Sequence, residues 1–501
     1  MRELFTGVDA VVPPGAAEVE VRALAVDSRR VAPGALFAAL PGVNADGAGF
    51  AAQAVARGAA AVLASRPLEL NVPVVISPNP RRAFSIAASR FHGEPSRRIS
   101  LFGVTGTNGK TTTAYLIDQI SAARGVQTGL IGTVESRWPG GREQATHTTP
   151  ESHELQALLR RMLDAGAQVV AMEVSSHALS QERAAGCVFA GAAFTNLTRD
   201  HLDYHGTLDD YFEAKAKLFR ELLPRGAPAV LNLDDARVAA LAGQLPFALG
   251  FTVRGVPGAA LSAEQVRGDL SGVRFRLRSA APLDSGLVEV ESPLIGAHNV
   301  ENLLAAIGVL AGSGVPLREL AYLAAECGGA PGRLERVPDP AGRVVLVDYA
   351  HSDDALARVL DALRKASAPR IVCVFGCGGD RDRGKRPLMG EAAGTRADLI
   401  VATSDNPRTE DPLAILADVE PGLVRSGKTK LDPRHARMGL KGYCVLPDRR
   451  EAIELALRAA RPGDAVLIAG KGHEDYQIVG KEKRPFDDRA EARRALEEIS
   501  R

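Results

Sequence analysis

LFGVTGTNGKTTTAYLI, residues 101–117, spans the strand, loop and helix from which the fold can be inferred. Residues 99–106 form an apolar run that predicts a short buried strand. Residues 112–125 have the apolar spacing of an amphipathic helix and end in a glycine, a common residue just beyond a helix. A strand, a glycine loop and a helix in this order favour an α/β protein.

The loop itself nearly matches the phosphate-binding pattern G-x-x-x-x-G-K-[ST]. Gly109, Lys110 and Thr111 occupy its last three positions, whereas Val104 stands where the first glycine is required. Backbone N–H groups at a helix N-terminus point at an anion, glycine leaves room for it, and lysine adds positive charge. The hydroxyl of Thr111 could bind Mg²⁺. We therefore predict a nucleoside triphosphate site here rather than a plain strand-turn-helix.

Composition narrows the class of protein. The 501 residues are 46% hydrophobic and 24% charged with a formal net charge of +1, as in an ordinary soluble globular protein. A near-neutral balance gives no reason to expect nucleic acid or a membrane surface as partner, and no segment reaches the ~18–20 apolar residues of a membrane span. We expect a cytoplasmic monomer whose five cysteines, which form no C-x-x-C pair, are reduced.

The length of the chain and two breaks in its apolar pattern predict three domains, at ~100–200 residues per domain. A polar break at 92–98 and a glycine- and proline-rich break at 328–332 give boundaries of 1–97, 98–330 and 331–501. In the second and third domains apolar strands alternate with helical stretches, which favours mostly parallel sheets with crossover helices. We interpret the basic, turn-rich segment 421–442 as an exposed loop insertion.

Polar side chains follow several of the predicted strands. Glu173 closes the apolar run VVAMEV, where a carboxylate could hold a Mg²⁺ that bridges nucleotide phosphates. The segment 195–219 contains two histidines, for which metal binding and a structural role both stay open. D-N-P-R at 405–408 and G-K-G-H-E at 470–474 place charges of both signs at strand ends. Together they suggest a pocket for a substrate that carries an ammonium and a carboxylate.

The motifs in series resemble those of the Mur ligases over nearly the whole chain. They are G-T-N-G-K-T-T at 106–112, T-T-P at 148–150, M-E-V-S-S-H at 172–177, D-H-L-D-Y-H at 200–205, G-x-H-N-V-x-N at 296–302, Y-A-H at 349–351, D-N-P-R at 405–408 and G-K-G-H-E at 470–474. The resemblance implies an α/β fold of three domains: an N-terminal domain for the UDP end of a substrate, a central phosphate-loop ATPase and a Rossmann-like C-terminal domain for an amino acid.

The resemblance also implies the reaction, its substrates and its cofactors. ATP would phosphorylate the D-glutamate carboxylate of UDP-N-acetylmuramoyl-L-Ala-D-Glu, and the amine of meso-diaminopimelate would displace the phosphate, with Mg²⁺ offsetting charge. The implied Mg²⁺ ligands are Thr111 and Glu173 for one ion and His201 and Lys215 for a second, Lys215 being carboxylated on its amine. Catalysis would depend on Lys110, Lys215, His201 and Glu173.

The remaining site residues are carried over position by position from the resemblance. Those implied to bind the nucleotide are Gly106, Thr107, Asn108, Gly109, Lys110, Thr111, Thr112, Asn299, Arg333 and Asp348. Those implied to bind the UDP end are Val26, Ser28, Val43, Asn44 and Ala45, and those for the muramoyl dipeptide are Thr148, Thr149, Ser175, Gln181 and Arg183. Those implied to bind the amino acid are Arg381, Asp405, Asn406, Pro407, Arg408, Gly470 and Glu474.

Three alternatives stay open. A folylpolyglutamate-type synthetase would share the ATPase core, but the ~97 residues ahead of the loop and the D-N-P-R run speak against it. A lysine-adding relative is opposed by Arg408, whose guanidinium can grip a second carboxylate in a bidentate way that lysine does not offer. A phosphate-loop switch without ligation would leave the polar strand ends of the third domain without a purpose.

Overall fold

The computed structural model describes residues 1–42 and 46–500, and it is an α/β protein as predicted. The chain forms two compact units. The first contains Met1–Ser262 with the segments Arg278–Gly286 and Glu301–Leu323, and the second contains Ala263–Leu277, Leu287–Val300 and the chain from residue 324 onward. Among the described residues, no helix is both long and apolar enough to cross a membrane.

The N-terminal part of the first unit is a small parallel sheet covered by helices. Its strands lie in the order β1-β2-β3-β4 and all pair in parallel. The elements are β1 Ala23–Ala25, β2 Ala35–Ala38, β3 Ala59–Ala64, β4 Val74–Ile76, α1 Arg2–Phe5, α2 Ala51–Ala56 and α3 Pro80–Phe91. The central strands β2 and β3 are buried on both faces, which is typical of parallel strands between helices.

The larger sheet of the first unit carries the phosphate loop. Its strands are β5 Ser100–Thr105, β6 Thr128–Ile131, β7 Glu135–Trp138, β8 Gly141–Gln144, β9 Val169–Glu173, β10 Gly191–Phe194, β11 Ala229–Asn232 and β12 Ala248–Thr252. They are followed along the chain by β13 Leu261–Asp269, β14 Gly272–Ser279 and β15 Gly286–Ser292. The helices between Lys110 and Leu323 are α4 Lys110–Ala123, α5 Ser152–Asp164, α6 Ser176–Ser180, α7 Leu202–His205, α8 Leu208–Lys217, α9 Ala236–Ala242, α10 His298–Gly312 and α11 Leu317–Leu323.

The strand order explains where the site forms. From β12 the order is β12-β11-β10-β5-β9-β6-β7-β8, parallel from β12 to β6 and antiparallel at the β6-β7-β8 edge. The predicted parallel sheet is thus confirmed, with an edge hairpin in addition. Because β5 lies between β9 and β10, the carboxyl ends of these three strands meet at one edge, where ligands bind in such sheets.

The second unit contains another parallel sheet, ordered β16-β17-β21-β18-β19-β20, with only the β16–β17 pair antiparallel among the described strands. Its strands are β16 Glu335–Val337, β17 Val344–Asp348, β18 Ile371–Cys377, β19 Leu399–Ser404, β20 Gly442–Val445 and β21 Ala465–Ala469, with a separate hairpin of β22 Tyr476–Val479 and β23 Glu482–Pro485. The helices are α12 Asp353–Lys365, α13 Lys385–Arg396, α14 Pro412–Arg425, α15 Pro433–Arg437, α16 Arg449–Ala459 and α17 Asp488–Ser500.

The prediction of a loop over 421–442 is wrong for much of the segment. Helix α14 runs through Pro421 to Arg425, and α15 forms a further short helix. Leu423 is fully buried, and a Cβ at Gly422 would collide with the carbonyl oxygen of Pro387 on α13. The two helices therefore pack closely at this glycine, and that packing outweighs the local helix-breaking tendency of proline and glycine.

All five cysteines, at 187, 327, 373, 377 and 444, are buried, and their reduced state stays a prediction. Burial in apolar surroundings raises the pKa of the Cys187 and Cys373 thiols to about 12, so these thiols stay protonated and packed as small apolar groups.

Candidate active site

The phosphate loop requires glycine at two positions. Gly106 and Gly109 have φ angles of +144° and +85°, a region that L side chains rarely adopt. A Cβ at Gly106 would also collide with the hydroxyl of Thr195, and one at Gly109 with the side-chain oxygen of Asn302. The loop is therefore shaped by both its own backbone and its neighbours.

Two lysines converge on one carbonyl group of this loop. Lys110 Nζ donates to the carbonyl oxygens of Gly106 and Thr107, at 2.9 Å each, and Lys215 Nζ donates to that of Gly106 at 2.8 Å. The Lys215 side chain is 1% exposed. Burial, together with the nearby charge of Lys110, holds the pKa of Lys215 well below its ordinary value.

Residues after β10 fix the loop from the other side. The side-chain oxygen of Asn196 accepts a hydrogen bond from the backbone N–H of Asn108 at 2.9 Å. The backbone carbonyl oxygen of Asn196 accepts another from the backbone N–H of Thr107, also at 2.9 Å. The hydroxyl of Thr107 donates to the carbonyl oxygen of Thr198 at 3.2 Å. These contacts were missed from the sequence, although T-N-L-T after an apolar run was a signal for a polar strand end.

Thr111 and Glu173, which are expected to bind one Mg²⁺, lie in contact. Glu173 Oε2 accepts hydrogen bonds from the hydroxyls of Thr111 at 2.9 Å and Thr133 at 3.2 Å, while Oε1 accepts from the backbone N–H of Thr133 at 2.7 Å. The Glu173 carboxylate is buried beside the N-terminus of α4. Hydroxyl and carboxylate oxygens are ligands that Mg²⁺ accepts, so this pair fits such an ion. Thr133 was not anticipated.

The residues expected at the muramoyl dipeptide gather next to Glu173. The Thr149 hydroxyl donates to the carbonyl oxygen of Glu173 at 2.8 Å and accepts from the backbone N–H of Ser175 at 3.1 Å. Arg183 Nη1 donates to the carbonyl oxygen of Thr149 at 2.9 Å, and its Nη2 to the side-chain oxygen of Gln181 at 2.8 Å. Thr148 also belongs to this group, because its hydroxyl lies 3.0 Å from that of Thr133.

His201 lies at the edge of this arrangement. Its side chain is 47% exposed, and its φ of +52° is unusual for a residue other than glycine. The ring of Tyr211 contacts both partners of the expected second metal site, with a centroid 6.1 Å from that of His201 and 4.5 Å from Lys215 Nζ. Within residues 1–42 and 46–500, no group of three or more His, Cys, Asp and Glu side chains is placed to hold a metal ion.

The N-terminal substrate residues are described only in part. Ser28 is buried, and its hydroxyl donates to the side-chain oxygen of Gln53 at 2.7 Å. Val26 is half-buried against the N-terminal core. Val43, Asn44 and Ala45 lie outside the described residues.

The second unit brings together two of the expected nucleotide contacts. The buried carboxylate of Asp348 accepts hydrogen bonds from the backbone N–H groups of Leu334 at 2.7 Å and Ala350 at 2.8 Å. Burial raises the pKa of Asp348, and the positive charge of Arg333 partly opposes that rise. Asn299 Nδ2 donates to the carbonyl oxygen of Ile295 at 2.9 Å, and its role stays a prediction.

The D-N-P-R and G-K-G-H-E segments meet at the carboxyl ends of β19 and β21. Asn406 Nδ2 donates to Glu474 Oε2 at 3.1 Å, which brings the two segments into contact. Arg408 Nη1 donates to the carbonyl oxygen of Gly379, after β18, at 2.8 Å. Arg408 has a φ of +52°, and its backbone is held by hydrogen bonds to Ile478 and Gly480 of the β22–β23 hairpin. Strain of this kind is stored at binding sites.

Other members of the expected acceptor set lie close by, and two neighbours were missed. Arg381 is exposed, with Nη1 donating to the carbonyl oxygen of Asp380 at 3.1 Å. Pro407 and Gly470 are both buried. Lys471 and His473 of the G-K-G-H-E motif also lie here, and their burial is not predictable from the sequence, since a lysine and a histidine in a glycine-rich turn are usually exposed.

A phosphate loop on one parallel sheet, followed along the chain by a second α/β unit with a cluster of ion pairs at its strand ends, is the arrangement of a nucleotide-dependent ligase. Three family models match in order: the Mur ligase family catalytic domain at residues 20–91, the Mur ligase middle domain at 104–310 and the Mur ligase glutamate ligase domain at 332–472. The chain belongs to the Mur ligase family and has its three-domain α/β fold.

Curated relatives match over almost the full length. A UDP-N-acetylmuramoyl-L-alanyl-D-glutamate–2,6-diaminopimelate ligase of Thermosynechococcus vestitus is 46% identical, with 99% of this chain and 98% of the relative covered. Its counterpart in Geobacillus thermodenitrificans is 45% identical, with coverage of 96% and 95%. A solved structure with the same enzyme name has a TM-score of 0.73 at 37% identity and covers 96% of both chains.

More distant structures share the fold. A D-alanyl-D-alanyl-adding ligase of Acinetobacter baumannii has a TM-score of 0.59 at 19% identity, with 94% of each chain covered. At this identity the likeness concerns the architecture alone.

Proposed function

We propose that the protein is an ATP-dependent ligase that joins meso-diaminopimelate to the D-glutamate of UDP-N-acetylmuramoyl-L-Ala-D-Glu, a step of peptidoglycan precursor synthesis. The observation that carries the proposal is that Glu173 contacts both the phosphate loop and the expected dipeptide site. Its carboxylate binds Thr111 of the phosphate loop, while its carbonyl oxygen binds Thr149 of the expected dipeptide site. A nucleotide and a carboxylate substrate would therefore meet at the end of β9.

The chemistry follows from that proximity. A carboxylate oxygen of the D-glutamate attacks the γ-phosphorus of ATP, which gives an acyl phosphate and ADP. The amine of the acceptor then attacks the acyl carbon, inorganic phosphate leaves, and the amine loses a proton as the amide forms. Phosphorylation is needed because it converts a carboxylate oxygen into a good leaving group. Lys110 and the backbone N–H groups at the start of α4 would offset phosphate charge.

We assign the metal ligands on the basis of the donor groups. Thr111 and Glu173 supply a hydroxyl and a carboxylate for one Mg²⁺, which would neutralise charge on the transferring phosphoryl group. His201 and Lys215 are proposed for a second ion. A lysine ammonium cannot bind a metal, but carboxylation of Nζ would convert it into an anionic oxygen ligand. The burial of Lys215 supports this modification, since a low pKa favours the neutral amine that reacts with carbon dioxide.

Acceptor choice is assigned to the second unit. Arg408 would hold the distal carboxylate of diaminopimelate in a bidentate manner, which L-lysine cannot match. Arg381, Asp405, Asn406, Pro407, Gly470 and Glu474 would line the rest of this pocket. Asn299, Arg333 and Asp348 are proposed as nucleotide contacts, and Val26, Ser28 and residues 43–45 as contacts to the UDP end. We propose that the enzyme works as a cytoplasmic monomer.

Phosphate release by the purified protein tests the proposal. UDP-N-acetylmuramoyl-L-Ala-D-Glu, ATP and Mg²⁺ are supplied with either meso-diaminopimelate or L-lysine. Release with diaminopimelate alone supports the assignment, including the role of Arg408. Preference for lysine would contradict the role of Arg408, and no release with either acceptor would contradict the ligase assignment itself.

A further inference from the structure

We propose that Lys471 is a positioning residue that sets the charge of the acceptor pocket and thereby its preference for a diamino acceptor with two carboxylates over one with a single carboxylate. This inference rests on the proposed function. The lysine lies just after β21, between Gly470 and Gly472, and its side chain is fully buried.

The two flanking glycines explain how a lysine enters the interior here. Gly470 and Gly472 have φ angles of +121° and +52°, so both use backbone that glycine adopts readily. A Cβ at Gly472 would also come 2.7 Å from the Cβ of Tyr349. The turn therefore directs the intervening side chain inward, and other residues at these two positions would be strained.

The Lys471 ammonium contacts three residues of the expected pocket. Nζ lies 3.1 Å from Asn406 Oδ1, 3.3 Å from Glu474 Oε2 and 3.5 Å from Asp405 Oδ1. It also lies 5.6 Å from the centroid of the Tyr476 ring, within the range of a cation–π contact. One buried cation thus links residues from the ends of β19 and β21.

These contacts determine how the side chain of Asn406 is oriented. Its oxygen accepts hydrogen bonds from Lys471 Nζ and from the backbone N–H of Ile478 at 2.9 Å. Its Nδ2 donates to Glu474 at 3.1 Å. Without the ammonium, the amide oxygen would lose one of its two donors, and the carboxylates of Asp405 and Glu474, which are only 12% and 18% exposed, would lose the cation that pairs with both of them.

The charge balance connects this geometry to selectivity. Asp405 and Glu474 carry −1 each and Lys471 carries +1, so the three groups sum to −1, which suits one ammonium of a zwitterionic acceptor. Loss of the lysine would leave −2. Diaminopimelate has a net charge of zero and L-lysine one of +1, so the more negative pocket should shift preference toward lysine. Complementary charge controls specificity in this way across interfaces.

The test measures kcat and KM of phosphate release for the wild type, Lys471→Met and Lys471→Arg. The concentrations of each acceptor, of ATP and of the UDP-linked dipeptide are varied in turn. For Lys471→Met we expect KM for diaminopimelate to rise at least ~10-fold, because one partner of a buried charged network is lost. The diaminopimelate-to-lysine ratio of kcat/KM should fall, while KM for ATP stays within about twofold. Lys471→Arg should recover part of the ratio, since it restores the charge.

A double variant separates charge from folding. Lys471→Met/Glu474→Gln restores the sum of −1, so its acceptor ratio should return toward that of the wild type even if Lys471→Met alone folds poorly. An acceptor ratio that stays low in the double variant would overturn the inference. Equal increases in KM for the acceptor, ATP and the UDP-linked dipeptide in Lys471→Met would overturn it as well. Wild-type enzyme without activity on either acceptor would instead refute the proposed function on which the inference rests.

Discussion

The hydroxyl of Thr111 donates a 2.9 Å hydrogen bond to the buried carboxylate of Glu173, which joins the end of β9 to the first turn of α4. The pair places two oxygen ligands beside the phosphate loop. The same carboxylate also accepts two hydrogen bonds from Thr133, so its position is fixed before any ligand arrives. Preorganisation of this kind is what electrostatic catalysis requires.

Glu173→Gln should lower kcat by ~10²-fold or more, because a preorganised charge that stabilises the transferring phosphoryl group is lost. We expect the Mg²⁺ concentration that gives half-maximal phosphate release to rise as well. Glu143→Gln, which neutralises an exposed carboxylate on β8, is the matched control and should behave like wild type. An unchanged Mg²⁺ dependence in Glu173→Gln would argue against the metal role.

Gly109→Ala should weaken nucleotide binding more than it destabilises the fold. Alanine at a φ of +85° costs ~1–2 kcal/mol, and its Cβ would also collide with Asn302. Gly125→Ala at the other end of α4 has a similar φ of +79° with nothing within 4 Å of the added Cβ, so it reports the backbone cost alone. Calorimetric titration with ATP should therefore show a larger loss of affinity for Gly109→Ala than for Gly125→Ala. Equal losses of ATP affinity in the two variants would show that the backbone conformation, and not the collision with Asn302, causes the effect.

The ion pair between Arg449 and Asp488 should dominate the stability of the second unit. Both side chains are fully buried, at 2.7 Å from each other. Arg449→Met leaves an uncompensated buried carboxylate, which typically costs ~3–5 kcal/mol. Arg484→Met breaks an exposed pair with Glu482 and should cost ~0–1 kcal/mol. Denaturant unfolding of both variants measures the difference.

A double variant checks the cause of that cost. Arg449→Met/Asp488→Leu removes both charges, so part of the lost free energy of unfolding should return, because an apolar pair can replace a buried ion pair. If the double variant is as unstable as Arg449→Met, the loss comes from packing or from the hydrogen bond that Arg449 donates to the carbonyl oxygen of Ala469.

The sequence predicted the parts of the fold that local patterns specify. The phosphate loop, the strands around it and the strand-end position of Glu173 follow from apolar runs and glycines within a few residues of each other. The reading of 421–442 as a loop failed because close packing against α13 is decided by residues that are remote in sequence. The β7–β8 edge hairpin escaped notice because its strands are short and half-exposed.

In the candidate site, the sequence predicts the residues at the ends of strands and helices but not those held by distant hydrogen bonds. Thr111 and Glu173 were expected to act together from the resemblance, and they lie in contact because both sit at element ends that converge in a parallel sheet; their role as metal ligands stays a prediction. Asn196, Thr133 and Lys471 were missed, since each acts through hydrogen bonds to partners far along the chain. Lys471 shows the difficulty most clearly: the G-K-G-H-E motif predicts a polar strand end, but a glycine-flanked lysine gives no sign in sequence that its side chain is buried.

His473 should make the stability of the second unit depend on pH. Burial, together with the charges of Arg333 and Arg489, lowers its pKa from 6.5 to about 4. Above pH 6.5 the imidazole is neutral in the folded and unfolded states, so it contributes no pH dependence there. Between pH 6.5 and about 4 the unfolded chain binds a proton that the folded protein does not, so the free energy of unfolding should fall as the pH falls.

His473→Gln should flatten that slope in the same window, because glutamine does not titrate. Denaturant unfolding at several pH values from 7 to 4 measures it, and His435→Gln, which removes an exposed histidine of α15, is the control that should keep the wild-type slope. Two other buried groups of the unit contribute to the slope that remains: burial lowers the pKa of His298, which adds a slope of the same sign, and raises the pKa of Asp348, which adds one of the opposite sign. A wild-type slope in His473→Gln would show that other groups carry the pH dependence.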